Sequence, residues 1–473
     1  MRKKFLFASI QLVLTFAFFP LAEAQPGFYD DLYKFSPLDY LWMNVGNPEF
    51  SAGEAYYPSL AIHPSGEPYV AYQDMANSGK ATVMKFNGSN WVNVGNAGFS
   101  AGACDFTNLS FSPSGSLYIA FEDNGHSNKA TVMRFDGNNW VNVGNAGFSN
   151  GESNYLSFAF GPAGEPYVAY RDYIFQISQK ATVMKFDGSN WVNVGSAGFS
   201  AGAVASTSLA FSPSGDPYVA FQDEANSGKV TVMKFDGANW VIVGLAGFSA
   251  GQAVYVSLAF DLTGQPYVAY EDWGNLQKAT VMKFDGTNWV NVGQPGFSDG
   301  EVQYTSLAFS SAGQPYVAFQ GTVNSWKATL MKYDGINWVN VGSAGFSAGD
   351  VANTCLAFSP TDVPYVVYQD WWEHLFKATV MKYDSVFVGI DESQRSQLYL
   401  YPNPASKSIT IGLKSIPGNI RCIEITDLTG RIMYETKSSE SYISVYLENY
   451  PAGVYIVKLN SGNSIFTGKF CKN

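Results

Sequence analysis

Histidine is scarce in this chain. The three present, His63, His126 and His374, are far apart and unrelated in local context, so neither a histidine metal site nor a Ser-His-Asp arrangement is indicated. The four cysteines, Cys104, Cys355, Cys422 and Cys471, show no CxxC or metal-ligand spacing, which leaves zinc and thioredoxin-type chemistry without support. Cys422 and Cys471 fall in the same C-terminal stretch, and pairing between them is left open. Basic residues are outnumbered, 28 Lys and Arg against 39 Asp and Glu, for a net charge of −11. Nucleic acid and anionic membranes both need clustered cations, so neither is an expected partner. No glycine loop for a nucleotide is present, and no cofactor or metal is expected. Charged residues make up only 14% of the chain against 46% apolar, the balance of a packed protein and not of a disordered one. A length of 473 residues exceeds what one core fills, so two or more folded units are expected.

Long apolar runs are also missing, apart from one at the start. Arg2, Lys3 and Lys4 precede a short apolar stretch from Phe5 to Phe19, and Ala22-Glu23-Ala24 follows. That order is a secretory signal with a small-x-small cleavage site, so residues 1–24 are expected to be removed. No later segment is long enough to span a bilayer, and no membrane span is expected in the mature form.

What is abundant is repetition. Trp42, Trp91, Trp140, Trp191, Trp240, Trp289 and Trp338 recur every 49 residues, with one interval of 51. A period of this length points to a solenoid or a propeller. Each unit holds four strand-like runs, shown by the fourth copy: Trp191–Gly195, Ser208–Phe211, Pro217–Phe221 and Lys229–Phe235. They are rich in β-branched and aromatic residues and bounded by turn signals such as Pro213-Ser214-Gly215 and Asp236-Gly237. The Pro-Tyr-Val-Ala and Lys-Ala-Thr-Val runs are apolar at odd and even positions alike, as expected of strands buried on both faces. Blades stacked radially bury strands in this way and leave few exposed edges.

The reading is all-β: a seven-bladed β-propeller of four-stranded blades over residues 40–384. The repeats begin with a tryptophan strand and end with a lysine strand, Lys377–Tyr383. If the Ser-Leu-Ala-Phe run is innermost, the Trp42 segment must complete the last blade and close the ring. The unit resembles, in general layout, secreted bacterial propeller repeats that end in a DGxxW turn. It lacks the glycine doublets of kelch repeats, the WD40 signatures and the sialidase Asp-box, so no named propeller family is assigned.

After Asp384 the repeat stops, and residues 385–397 read as a linker. Tyr401-Pro402-Asn403-Pro404 then leads into a strand, Asp427-Leu428-Thr429-Gly430-Arg431 ends another, and Leu447 precedes Pro451-Ala452-Gly453-Val454-Tyr455-Ile456-Val457-Lys458-Leu459. This order, over residues 398–473, resembles the type A C-terminal sorting domain of the type IX secretion system. The resemblance implies a small β-sandwich that engages the type IX secretion machinery of Bacteroidetes-type bacteria and delivers the protein outside the cell or to its surface. The ending, Gly468-Lys469-Phe470-Cys471-Lys472-Asn473, departs from the usual lysine-rich close.

Residues shared by every copy are expected to be scaffold. The aspartate closing the Pro-Tyr-Val-Ala run (Asp74, Asp123, Asp172, Asp223, Asp272, Asp370; Gly321 in the sixth copy) is expected to cap a turn, with Lys80 and its equivalents as partners. Length varies only in the loop that follows this position: MANSG, NGHSN, YIFQISQ, EANSG, WGNLQ, TVNSW and WWEHLF. Its aromatic and imidazole members, Tyr173, Phe175, Trp273, Trp326, Trp371, Trp372 and His374, with Phe376 beside them, are the candidate ligand-binding residues, since aromatic faces beside polar groups suit sugar rings or a protein partner. Tyr57, Phe106, Tyr155, Tyr255 and Tyr304, in the segments between blades, are expected to pack. No catalytic residue is assigned. The expected function is that of a secreted or surface-attached, non-catalytic binding protein for a glycan or protein. One competing class is a carbohydrate-active enzyme whose loop carboxylates, first among them Glu373 with Glu271 or Glu122, meet over the channel. A structural adhesion protein is the other.

Overall fold

A computed structural model describes residues 39–174, 178–371, 375–386, 398–413, 421–428, 430–461 and 464–473. The expected signal peptide, most of the expected linker, Phe175, Trp372, Glu373 and His374 lie outside the described residues. The chain divides into one compact unit over Tyr40–Val386 and a second that holds the C-terminal tail.

The larger unit is seven consecutive four-stranded antiparallel sheets. After β1 (Asp39–Asn44), the first blade is β2 (Ala55–Ile62), β3 (Pro68–Asp74), β4 (Lys80–Phe86) and β5 (Trp91–Asn93), hydrogen-bonded in that order. Five more blades repeat it. The seventh has only three strands of its own, Val351–Phe358, Pro364–Asp370 and Ala378–Val386, and β1 supplies the fourth. The innermost strands are the Ser-Leu-Ala-Phe runs; each neighbours the next, and Val351–Phe358 returns against β2. The ring is therefore closed by the N-terminal strand. The last blade also runs through Val386, two residues into the stretch read as linker.

The second strand of each blade is sheathed on both faces: Val70, Ala71 and Tyr72 of β3 and Val268, Ala269 and Tyr270 of the fifth blade are essentially inaccessible. Each tryptophan ties its blade to the preceding one. The Trp91 Nε1 donates to the Val45 carbonyl at 2.7 Å while its ring stacks on Phe50 at 4.1 Å. Trp42 does the same in the closing blade, donating to Val341 at 2.8 Å and stacking on Phe346 at 3.6 Å. Near the axis, serine hydroxyls of one innermost strand accept from the backbone of the next, as Ser59 does from Leu109 at 2.9 Å and Ser257 from Leu307 at 3.0 Å.

The repeated aspartate is a cap. Asp74 accepts from the Ala76 N–H at 3.1 Å, from Asn77 Nδ2 at 2.8 Å and from the Thr82 hydroxyl at 2.8 Å, fixing the 3-10 turn Met75–Asn77 to the third strand. Asp123, Asp223 and Asp272 repeat the pattern. Threonine, asparagine or His126 thus fill the place expected for lysine, and among the described residues no ion pair joins these four aspartates to a repeat lysine. In the sixth blade Gly321 offers no such cap. Its backbone is extended, and a Cβ there would meet the Phe319 ring at 3.5 Å and the Glu301 carbonyl oxygen at 3.8 Å, both ordinary contacts. Gly321→Asp is expected to add a few tenths of a kcal/mol, read as a melting-temperature rise of up to about 1 °C in a thermal scan; a fall would show that the turn in this blade does not accept the cap.

In the tail, strands Tyr399–Tyr401, Ser408–Gly412 and Tyr442–Tyr446 form one sheet; Ile432–Ser438, Arg421–Asp427, Gly453–Ser461 and Ser464–Lys472 form the other. Ile409, Ile411, Ile423, Ile425, Val457, Leu459 and Phe470 make its core. Cys422 and Cys471 lie on strands separated by Gly453–Ser461. Strands two places apart are about 10 Å apart, beyond disulfide reach, and all four cysteines are free thiols.

Candidate functional site

Every innermost strand carries a β-bulge near its start. In the first blade the register slips between Tyr56 and Ser59, and the same slip recurs in the other six. At each bulge one non-glycine residue takes a left-handed conformation: Tyr57, Phe106, Tyr155, Ser206, Tyr255, Tyr304 and Asn353, with φ between 49° and 54°. Such a backbone costs roughly 1–3 kcal/mol per residue and persists where the surroundings enforce it. Here a threonine of a neighbouring blade enforces it, since the Thr107, Thr207, Thr305 and Thr354 hydroxyls donate to the carbonyls of Tyr57, Tyr155, Tyr255 and Tyr304.

The bulge re-aims its side chain. All seven bulge residues line one central cavity of about 590 Å³, together with Gln222, Gln369 and Trp371. That volume lies within the roughly 300–1,000 Å³ range of small-molecule sites. Neighbouring rings touch, Tyr57 with Phe106 at 5.0 Å, Phe106 with Tyr155 at 5.5 Å and Tyr255 with Tyr304 at 4.5 Å. The aromatic residues therefore both pack, as expected, and form the wall of a cavity.

The residue before the repeated aspartate position of each blade forms a companion set: Gln73, Glu122, Arg171, Gln222, Glu271, Gln320 and Gln369. These side chains bond to polar neighbours from the innermost strands, as in Gln73 to Asp105 at 3.0 Å, Asn154 to Glu122 at 2.9 Å and Asn353 to Gln369 at 3.2 Å. Burial pushes the Glu122 carboxyl up to about 7; the Asn154 bond and Arg171 oppose the rise, and Asp105 and Glu152 add to it. Burial likewise raises Glu271 to about 7, opposed by the hydrogen bond from the Trp273 side chain and reinforced by Glu301. Tyr57 is pushed up to about 12, first by burial and then by Asp105, so this phenol stays neutral and can donate.

A raised carboxyl pKa makes the folded state hold a proton that the unfolded chain, near 4.5, has lost. Stability from these two groups is fully present below about pH 4.5 and drains away as pH rises through 7. The melting temperature is expected to fall between pH 5 and pH 8, and a Glu122→Gln/Glu271→Gln variant to flatten that slope. An unchanged slope in the variant would contradict the assignment.

The loop residues singled out from the sequence separate into three places. Trp371 and Trp326, from the seventh and sixth blades, line a side pocket of about 210 Å³ with Tyr304, Gln303 and Asp350; Tyr304 and Trp371 also line the central cavity. Tyr173 lies on the opposite part of the ring of blades, its ring 5.7 Å from the Arg171 guanidinium, which also covers Tyr155 at 4.8 Å. Trp273 is half exposed at the start of the 3-10 turn Trp273–Asn275 and bonds Glu271. Of the expected carboxylates, Glu122 and Glu271 are described and buried. Sequence reasoning missed Ser206, Asn353, Arg171 and the four glutamines of the companion set. Aligning the repeats on the capping aspartate would have shown Arg171 standing where every other copy has Gln or Glu.

Residues 399–473 match the family described as the secretion system C-terminal sorting domain, and the chain is accordingly a secreted protein sorted by that tail. A curated relative, the ulvan lyase NLR42 of Nonlabens ulvanivorans, is 29% identical over 92 residues. The match covers 19% of this chain and 17% of that protein. Among solved structures, PorZ, a surface component of the type IX secretion system of Porphyromonas gingivalis, aligns at 14% identity and a TM-score of 0.45, covering 89% of this chain and 59% of PorZ. The Aleuria aurantia lectin in complex with a fucosylated sugar aligns at 18% identity and a TM-score of 0.41, covering 64% of this chain and all of the lectin. Among the described residues no helix is long and apolar enough to cross a membrane.

Proposed function

We propose that this secreted propeller is a glycan-binding protein whose primary site is the central cavity. The observation that carries the reading is the set of seven bulges, which aims Tyr57, Phe106, Tyr155, Tyr255 and Tyr304, with Ser206 and Asn353, into a single cavity. Aromatic faces stack on the apolar faces of sugar rings, while hydroxyl and amide groups beside them satisfy the sugar hydroxyls. The side pocket holding Trp326 and Trp371 extends the site outward along one radius, giving a chain of sugars a second contact. A protein ligand would need a broad exposed patch, whereas the rings here are gathered in a concavity. The curated relative matched over 92 residues is named as an ulvan lyase, a carbohydrate-directed protein.

A second reading, a polysaccharide-cleaving enzyme, is favoured by the burial of Glu122 and Glu271 close to the wall tyrosines Tyr57 and Tyr255, which pushes both carboxyls up to about 7, where a carboxyl can give or take a proton. The experiment that separates them is equilibrium binding to a panel of soluble polysaccharides with product analysis on the same samples. Binding without new chain ends supports the binding protein. Product formation that is lost in Glu122→Gln or Glu271→Gln supports the enzyme, and binding to no polysaccharide overturns both.

A further inference from the structure

Six of the seven blades place an uncharged amide or a carboxyl immediately before the repeated aspartate position, and the third blade places Arg171 there. The fold does not require a cation at this position, since Gln73, Gln222, Gln320 and Gln369 occupy it in four blades. A partly buried guanidinium is costly unless its donors are met. Among the described residues Arg171 makes one hydrogen bond, from Nη2 to the neutral Asn154 Oδ1 at 2.6 Å. Its Nε is buried with no partner, and among the described residues it makes no ion pair.

The neighbouring carboxylate does not take up this charge. The Asn154 amide stands between the two, its Nδ2 donating to Glu122 Oε2 at 2.9 Å while its Oδ1 accepts from Arg171. The guanidinium carbon lies over the rings of Tyr155, at 4.8 Å, and Tyr173, at 5.7 Å, so it is positioned without being neutralised. A planar fork that meets only a neutral amide and no carboxylate among the described residues suits a carboxylate or a sulfate. Tyr155 belongs to the cavity wall, which places the fork beside the aromatic site.

We propose that the ligand of the central cavity is an acidic glycan, whose carboxylate or sulfate ester is bound by Arg171 at the third blade; this rests on the carbohydrate reading of the cavity. The groups facing Glu122 are Asp105, Glu152 and Arg171, with Asn154 bonded to it. An anion arriving at Arg171 meets Glu122, so protonating that carboxyl as pH falls removes a repulsion. Affinity for an acidic glycan therefore rises from pH 8 to pH 6.

The test uses the full chain with three oligosaccharides of equal length: an oligogalacturonate (carboxylate only), a κ-carrageenan oligosaccharide (sulfate only) and an uncharged galacto-oligosaccharide. Titration calorimetry is expected to show one of the charged ligands binding at least tenfold more tightly than the uncharged one. Which of the two binds identifies the anion. Arg171→Gln copies the residue of four other blades, so it is expected to fold normally by thermal scan and to lose the tenfold preference. Arg171→Lys is expected to keep part of it. Equal or tighter binding of the uncharged ligand, or an unchanged preference in Arg171→Gln, overturns the inference while leaving the carbohydrate reading standing. Binding of none of the three overturns both.

Discussion

Deleting residues 39–47 is expected to lower the melting temperature of the chain by more than about 10 °C. The deletion removes the outer strand of the seventh blade, the Trp42 bond to Val341 and the stack on Phe346. It also removes the Val45 N–H bond to Val380 and Val45 itself, which packs in the apolar cluster joining the first and last blades. Truncating one well-packed tryptophan costs about 3–5 kcal/mol, and each kcal/mol is worth roughly 2–4 °C in a domain of some 150–250 residues. The single variant Trp42→Ala should lose nearly as much as an internal equivalent such as Trp240→Ala. A fraying terminal strand, by contrast, contributes almost nothing, so a shift below about 2 °C would show that the ring is not held shut by its N-terminal strand.

Tyr255→Gly is expected to weaken glycan binding at least tenfold without lowering the melting temperature. Tyr255 sits at φ 52°, its ring against Tyr304 in the cavity wall. Glycine adopts this backbone without strain, so the relief of roughly 1–3 kcal/mol offsets the ring contacts that are lost. Binding has no such compensation, because a central aromatic anchor is worth about 2 kcal/mol or more to a ligand. A Tyr255→Gly/Tyr304→Gly double variant should reduce affinity about a hundredfold or more. Should both variants bind normally, the cavity is not the site; should they unfold, the bulge side chains are structural.

The blades were legible because every repeat states the same strand order, and because the aromatic and β-branched runs are apolar on both faces. Ring closure was legible from the mismatch between the first and last strand types. The capping role of Asp74 and its equivalents followed from aspartate chemistry, although its partners, Asn77 and Thr82, are neutral where lysine was expected. The site was read less well. Length variation directed attention to the loops after the second strands, and Trp326, Trp371 and Tyr173 do border pockets or the Arg171 fork. The aromatic residues at the bulges were read as packing between blades; their place in a cavity wall was not legible because positive φ is invisible in a Tyr-Tyr or Asp-Phe pair, and because burial between blades looks the same in sequence as burial around a cavity. Arg171 escaped for another reason: it changes charge at a position that never changes length.

The measurement that bears most directly on the central cavity is a crystal structure of the secreted chain soaked with the tightest-binding oligosaccharide from the titrations. The account predicts sugar density stacked among Tyr57, Tyr155, Tyr255 and Tyr304, with an acidic group within hydrogen-bond distance of Arg171. Density confined to the exposed loops around Trp273, with the cavity holding only water, would contradict it.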